Sequence, residues 1–130
     1  MSDTSATLRE HVAADPERWL GRALGSGHCV AAVRQAAPSI GSTTRWRAGR
    51  VVRGSNIPRG TVIATFNSAG RYANATDGSS HAAIYLSQDA AGLHAIDQWI
   101  GQPMHERTIR FRGGVGKPAN DADAYRTVLT

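Results

Sequence analysis

The segments His81-Ala-Ala-Ile-Tyr-Leu-Ser87 and Leu93-His-Ala-Ile-Asp-Gln-Trp99 constrain this chain more than any other feature. Both are short, apolar and rich in β-formers, and they flank Gln88-Asp-Ala-Ala-Gly92, a turn-forming stretch with glycine available for a bulge. So brief a connection has no room for a crossover, so the two runs must pair as an antiparallel hairpin. Further strand signals surround them. Thr61-Val-Ile-Ala-Thr-Phe66 is β-branched and follows the turn Ile57-Pro-Arg-Gly60. Arg107 to Arg112 and Tyr125 to Leu129 read as two more strands, separated by a Gly/Pro/Asn/Asp loop.

Helical patterns come first in the chain. Ser5 to Ala14 reads as a short helix with Thr4 or Ser5 as cap. Asp15-Pro16-Glu17-Arg18 reads as an N-cap with proline in the first turn, followed by Trp19, Leu20 and Leu24 as an apolar face. Gly25-Ser26-Gly27 breaks that helix. His28 to Ala37 is alanine-rich, stops at Pro38, and carries Val30, Val33 and Ala37 on one stripe. Residues 38–60 read as a polar loop anchored by Trp46. Helices followed by an antiparallel meander make an α+β fold, with N-terminal helices packed on an antiparallel β-sheet.

At 130 residues the chain is expected to form a single domain, 1–130, large enough for a core without disulfides or structural metal. A net charge of +5 and a pI near 10.3 favour anionic partners: nucleic acid, acidic lipid or the carboxylate-bearing bacterial wall. The arginines are spread from Arg9 to Arg126 without a basic run or aromatic interleaving, so no specific nucleic-acid reading is expected. No apolar stretch approaches the roughly 18 residues of a membrane span. The N-terminus lacks the basic-then-apolar pattern of a secretory signal, so synthesis in the cytoplasm is expected.

Chemistry concentrates around Cys29, the one cysteine, in Gly27-His28-Cys29-Val30, where a glycine turn runs into a helix. A thiol at a helix N-terminus feels the positive end of the helix dipole, which favours the nucleophilic thiolate. A cysteine hydrolase also needs an imidazole to pair with the thiolate and a third group to orient it. His81, at the start of a strand, and Asp97, on the next strand, stand in that order. A hairpin closed by Ala90-Ala91-Gly92 sets Asp97 opposite Tyr85, four residues or roughly 13 Å along the strand from His81. A longer loop, a bulge or strong twist must then close the gap. His28, next to Cys29, points about 100° away on a helix and is expected to shape the entrance. Tyr72 is a candidate for the cleft wall, and Trp46 and Trp99 for packing. His11, His94 and His105 have no metal-ligand spacing.

Gly27-His28-Cys29-Val30-Ala31-Ala32-Val33, Gly60-Thr61-Val62-Ile63, Ser80-His81-Ala82-Ala83-Ile84-Tyr85 and Ile96-Asp97-Gln98-Trp99 together resemble the motif series of papain-like cell-wall amidases. These are the CHAP and NlpC-type cysteine peptidases, and the small size is similar to that of type VI secretion amidase effectors. The resemblance covers residues 25–100. It implies a papain-like fold, Cys29 as nucleophile, His81 as general base and acid, and Asp97 as orienting group, with no cofactor. It implies a peptidoglycan peptide as substrate, an immunity protein as partner, and secretion to the periplasm or wall of target cells. Ser80 stands where that series has glycine, and Asp97 where it more commonly has glutamate, asparagine or a second histidine. The alternative is a non-catalytic basic binding module for nucleic acid or another anionic polymer, with Cys29 buried as a structural residue.

Overall fold

The sheet that the hairpin requires has six strands in a computed structural model that describes residues 7–130. They are β1 (Arg47–Val51), β2 (Val62–Thr65), β3 (Ala82–Asp89), β4 (Gly92–Trp99), β5 (Gln102–Ile109) and β6 (Tyr125–Leu129). All pairings are antiparallel, in the order β1-β6-β2-β3-β4-β5. Strands β2 to β5 form the expected meander, and the C-terminal strand slots between β1 and β2. One α-helix, α1 (Cys29–Ala36), packs on β3 and β4.

Both sheet faces are covered, and β2 shows this most plainly. All four of its residues are buried. Val62 and Ala64 join a core with Val33, Trp46, Ile84, Ile96 and Val128 on the helix side. Ile63 turns to the other side, where Tyr85, Leu93, Ile109 and Tyr125 form a second core. Trp46 is fully buried, stacks against Tyr72 at 4.9 Å between ring centroids, and donates its indole N–H to Gly41 O at 3.2 Å. It is the anchor the sequence suggests.

The N-terminal helices are where expectation and structure part. The caps expected at Thr4 or Ser5 lie outside the described residues. Beyond them the segment to Ala14 is extended: Val12 bridges Thr61, and Ala13 N–H donates to Gly60 O at 2.8 Å. Ala13 is thereby buried in the core as an added edge segment rather than as a helical face. Pro16–Trp19 forms only a 3-10 turn, and Asp15, with φ 49°, makes no side-chain cap. Leu24 does reach the core, but from an irregular stretch. The fold is therefore an antiparallel sheet with few helices. Within the segment read as a loop, Arg47–Val51 forms edge strand β1. Strand β5 begins at Gln102 rather than Arg107, and only Met104 and Ile109 along it are buried. Edge strands face water on one side, so neither carries the apolar run that betrays a central strand.

Candidate active site

The thiol is placed by the turn before α1. Gly25 and Gly27 have φ of +55° and +90°, and a Cβ on Gly25 would meet the Ala31 side chain at 2.9 Å. This left-handed backbone folds the chain sharply into α1. His28 is the N-cap with extended backbone and no side-chain cap, so Cys29 is the first helical residue. Its N–H is one of the donors that a helix N-terminus leaves without an intrahelical acceptor.

His81 comes from the sheet, one residue ahead of β3. Thr65 on β2 fixes its backbone from both sides: His81 N–H donates to Thr65 Oγ1 and Thr65 N–H donates to His81 O, each at 3.0 Å. Thr65 in turn donates its hydroxyl to Ser79 O at 2.9 Å. Ser80 Oγ accepts from Ala75 N–H at 2.9 Å, closing the loop that leads to His81.

Asp97 reaches His81 through a change of register. The hairpin closes on Ala90 and Ala91 alone, with Asp89 opposite Gly92. That tighter turn by itself would move the partner of Asp97 from Tyr85 to Ile84 and put its side chain on the wrong face. A bulge at Leu86 shifts the register once more, so that Ile84 faces Ile96 and the next step brings Ala83 opposite Asp97. One extra residue flips facing in a strand. The bulge therefore returns Asp97 to the face of His81 and brings it nearer by two residues. The result is a hydrogen bond of 2.7 Å between His81 Nε2 and Asp97 Oδ2.

With Nε2 engaged, Nδ1 is the ring nitrogen left for the thiol. Burial pushes the Cys29 thiol up, but the hydrogen bond and charge of His81, with smaller help from Ala82 and Tyr72, bring it below its ordinary value. Burial opposes the imidazolium, but Asp97 and Cys29 outweigh it and push His81 up to about 9. Burial likewise opposes the Asp97 carboxylate, yet His81 and Arg107 hold it below the usual range. Tyr72 OH lies 3.7 Å from Cys29 Sγ. Burial and the charge of Cys29 raise the phenol far above neutrality, so the hydroxyl stays protonated and can donate to the sulfur.

Two residues of this arrangement were not marked by the sequence. Arg107 on β5 donates Nε–H to Asp97 Oδ2 at 2.7 Å and lies 5.3 Å from the Trp99 ring centroid. Gln98, fully buried, hydrogen-bonds the backbone of Leu24 and His28 ahead of α1. Arg107 needs the β4–β5 register to be seen, and no local pattern marks it. Gln98 could have been noticed as an amide in an apolar strand, facing away from Asp97.

A cleft of about 800 Å³ opens over the thiol, lined among others by Cys29, His81, Tyr72, Trp99, Arg34 and Arg107. Cys29 is only partly buried and opens onto this space, unlike the sealed structural thiol of a pure binding module. His28 lies on the rim, and its exposed ring does not cap the helix. The remaining histidines are dispersed. His11 is clasped between Ser39 and Thr130, His94 pairs with Asp89 at the hairpin end, and His105 donates Nδ1–H to the backbone Asp97 O at 3.1 Å. Among the described residues no group of three or more His, Cys, Asp or Glu could hold a metal ion.

This sequence matches the family model of Dae2, domesticated amidase effector 2, over residues 4–128. The chain belongs to that family. It is 36% identical over 115 residues to the type VI secretion amidase effector 2 protein of Salmonella typhi, covering 78% of this chain and 85% of that protein. It is 34% identical over 122 residues to domesticated amidase effector 2 of Ixodes scapularis, covering 88% and 81% respectively. Its fold is similar to the solved structure of Type 6 secretion amidase effector 2 (Tae2), with a TM-score of 0.78 and 33% identity over 91% of this chain and 93% of that one. Membership of an amidase effector family implies hydrolase activity, which is the class of chemistry that a thiol, an imidazole and a buried carboxylate serve.

Proposed function

We propose that the protein is a single-domain cysteine hydrolase, residues 1–130, that cuts an amide bond in bacterial peptidoglycan peptides through a thioester acyl-enzyme. In this reading it is papain-like in layout, related to the CHAP and NlpC-type peptidases, and acts as a secreted antibacterial effector at the wall of target cells, held in check by an immunity protein. The observation that carries it is the set as a whole: Cys29 at the start of α1 and His81 lining the same cleft, with Asp97 bonded to His81 at 2.7 Å.

The chemistry runs as a thiolate–imidazolium pair. Cys29 Sγ attacks the scissile carbonyl carbon, and the oxyanion that forms is met by the Cys29 N–H. Collapse breaks the C–N bond, and the imidazolium of His81 gives its Nδ1 proton to the departing amine. Neutral His81 then takes a proton from water, which attacks the thioester and releases the carboxylic product and the thiolate. Asp97 stabilises the imidazolium and holds Nε2, leaving Nδ1 free for both transfers. No cofactor enters these steps. The net charge of +5 would retain the protein on anionic wall polymers in a salt-dependent way.

Digestion of purified Gram-negative peptidoglycan sacculi, read by mass analysis of the fragments, tests the reading directly. Cys29→Ala and His81→Ala should each abolish release of fragments, and the double variant should be scarcely worse than either. In a Gram-negative host the protein should be tolerated in the cytoplasm but lyse cells when fused to an export signal, and Cys29→Ala should restore growth. Full digestion by Cys29→Ala would end the proposal.

A further inference from the structure

Gln98 lies next to Asp97 on β4 but faces the other way, into the junction between the sheet and α1. It is fully buried, and both its amide hydrogens and its oxygen are hydrogen-bonded. Oε1 accepts from Leu24 N–H at 2.8 Å, and Nε2 donates to Leu24 O at 2.8 Å and to His28 O at 2.9 Å. Two of these bonds hold Leu24, the last core residue before the glycine turn. The third holds the carbonyl of the helix N-cap.

That third bond acts on the peptide unit joining His28 to Cys29. In a trans peptide the C=O and the N–H point in opposite directions. His28 O also accepts from Ala32 N–H at 3.3 Å, the first bond of α1, so Gln98 adds a second and shorter hold on that carbonyl, and the opposed Cys29 N–H points out of the helix N-terminus. As the first helical residue, Cys29 has no intrahelical acceptor, and among the described residues its N–H donates no hydrogen bond. Hydrogen bonding to the carbonyl also polarises the same amide and strengthens its N–H as a donor.

We propose that Gln98 is the positioning residue for the oxyanion donor, fixing the plane of the His28–Cys29 peptide so that its N–H meets the developing negative charge. This rests on the reading of Cys29 as nucleophile. Adjacent residues of one strand thus set the two halves of the site: Asp97 the imidazole on one face, Gln98 the nucleophile's own peptide on the other.

The test separates turnover from thiol reactivity. Gln98→Met keeps the length and burial of the side chain but removes all three bonds. Digestion of peptidoglycan sacculi should slow on the order of 10²-fold, the effect of losing one oxyanion donor. Iodoacetamide alkylation of Cys29, which has no oxyanion to stabilise and depends on His81, should stay within about twofold of wild type. A merely structural role would lower both together. Gln98→Glu, which keeps the acceptor for Leu24 N–H but sets a carboxylate against two carbonyls, should show the same split. In the wild-type protein, NMR should show both Gln98 side-chain amide hydrogens protected from solvent exchange, a check that needs no variant to fold. Half or more of wild-type turnover in folded Gln98→Met, a parallel fall of alkylation and turnover, or rapid exchange of those hydrogens would each overturn the proposal. Full activity in Gln98→Met with a dead Cys29→Ala removes only this inference. Full activity in Cys29→Ala removes the reading beneath it.

Discussion

Replacing Asp97 with asparagine removes one charge from the most deeply buried part of the site and changes little in shape. Asp97 is 1% exposed, and its Oδ2 takes hydrogen bonds from His81 Nε2 and Arg107 Nε, both at 2.7 Å. Asp97→Asn leaves two cationic groups facing a neutral amide. Holding the imidazolium to about 9 rather than 6.5 favours it by about 3 kcal/mol. Asp97 supplies a main part of that, and Cys29 the rest. Without the carboxylate His81 should fall by one to two pH units, so at pH 7.5 roughly a quarter to three quarters of it would remain protonated. The sign follows from the pair. The reactive form needs a thiolate and an imidazolium, so it is lost below the lowered value of Cys29 and above that of His81. Iodoacetamide alkylation and sacculus digestion from pH 5 to 10 should give a wild-type digestion profile whose alkaline limb lies near 9. In Asp97→Asn that limb should move down by one to two pH units, and turnover at pH 7.5 should fall roughly 10²- to 10⁴-fold as tautomer control is lost as well. An alkaline limb still near 9 in folded Asp97→Asn would refute the assignment of Asp97 to His81.

Two further outcomes probe the frame that carries the site. Trp46→Ala opens a cavity beneath Tyr72 and strands Gly41 O, and urea unfolding should show a loss of about 3–5 kcal/mol. Gly92 has φ +146°, and a Cβ there would run into the Ile109 carbonyl on β5, so Gly92→Ala should lower stability by about 2 kcal/mol or more. Because the hairpin sets the register of Asp97, digestion by Gly92→Ala should fall further than its folded fraction.

The central strands were legible because they are apolar on both faces. Tyr125–Leu129 lies where the pattern puts it, and β2, β3 and β4 lie within two residues of their expected ends. Helix α1 was legible from its alanines and from Pro38. The edges were not. Strand β1, Arg-Ala-Gly-Arg-Val, pairs through its backbone while most of its side chains face water, so periodicity has nothing to register. The N-terminal segment has the composition of a short helix, but Ala13 and Val12 gain more from edge pairing against Gly60 and Thr61 than isolated helical turns provide. For the site, Cys29 and His81 could be named because each opens an element. The distance from His81 to Asp97 depended on a turn one residue tighter and a bulge at Leu86, and neither leaves a unique mark in Gln88-Asp-Ala-Ala-Gly92.

Burial of so many charges in one small sheet is tolerable because they alternate. Cys29, His81, Asp97 and Arg107 alternate in sign along the chain, so that when all four are ionised their formal charges cancel. An isolated ion at such depth would cost several kcal/mol, whereas each member here has an opposite charge beside it. Arg107 takes part in that balance by helping to hold the Asp97 carboxylate below the usual range. In the proposed reaction, loss of Arg107 would leave Asp97 and the thiolate outnumbering the imidazolium, and His81 would part less readily with its proton to a leaving amine. With Arg107, the carboxylate is shared between two donors at equal 2.7 Å distances, and His81 sits near 9. In the proposed reaction, that is high enough to keep His81 protonated at neutral pH and low enough to let the proton go. The strand order makes this possible, since β3, β4 and β5 are consecutive neighbours and bring His81, Asp97 and Arg107 side by side. The helix brings Cys29, with its thiol and its backbone N–H, to the end of that row.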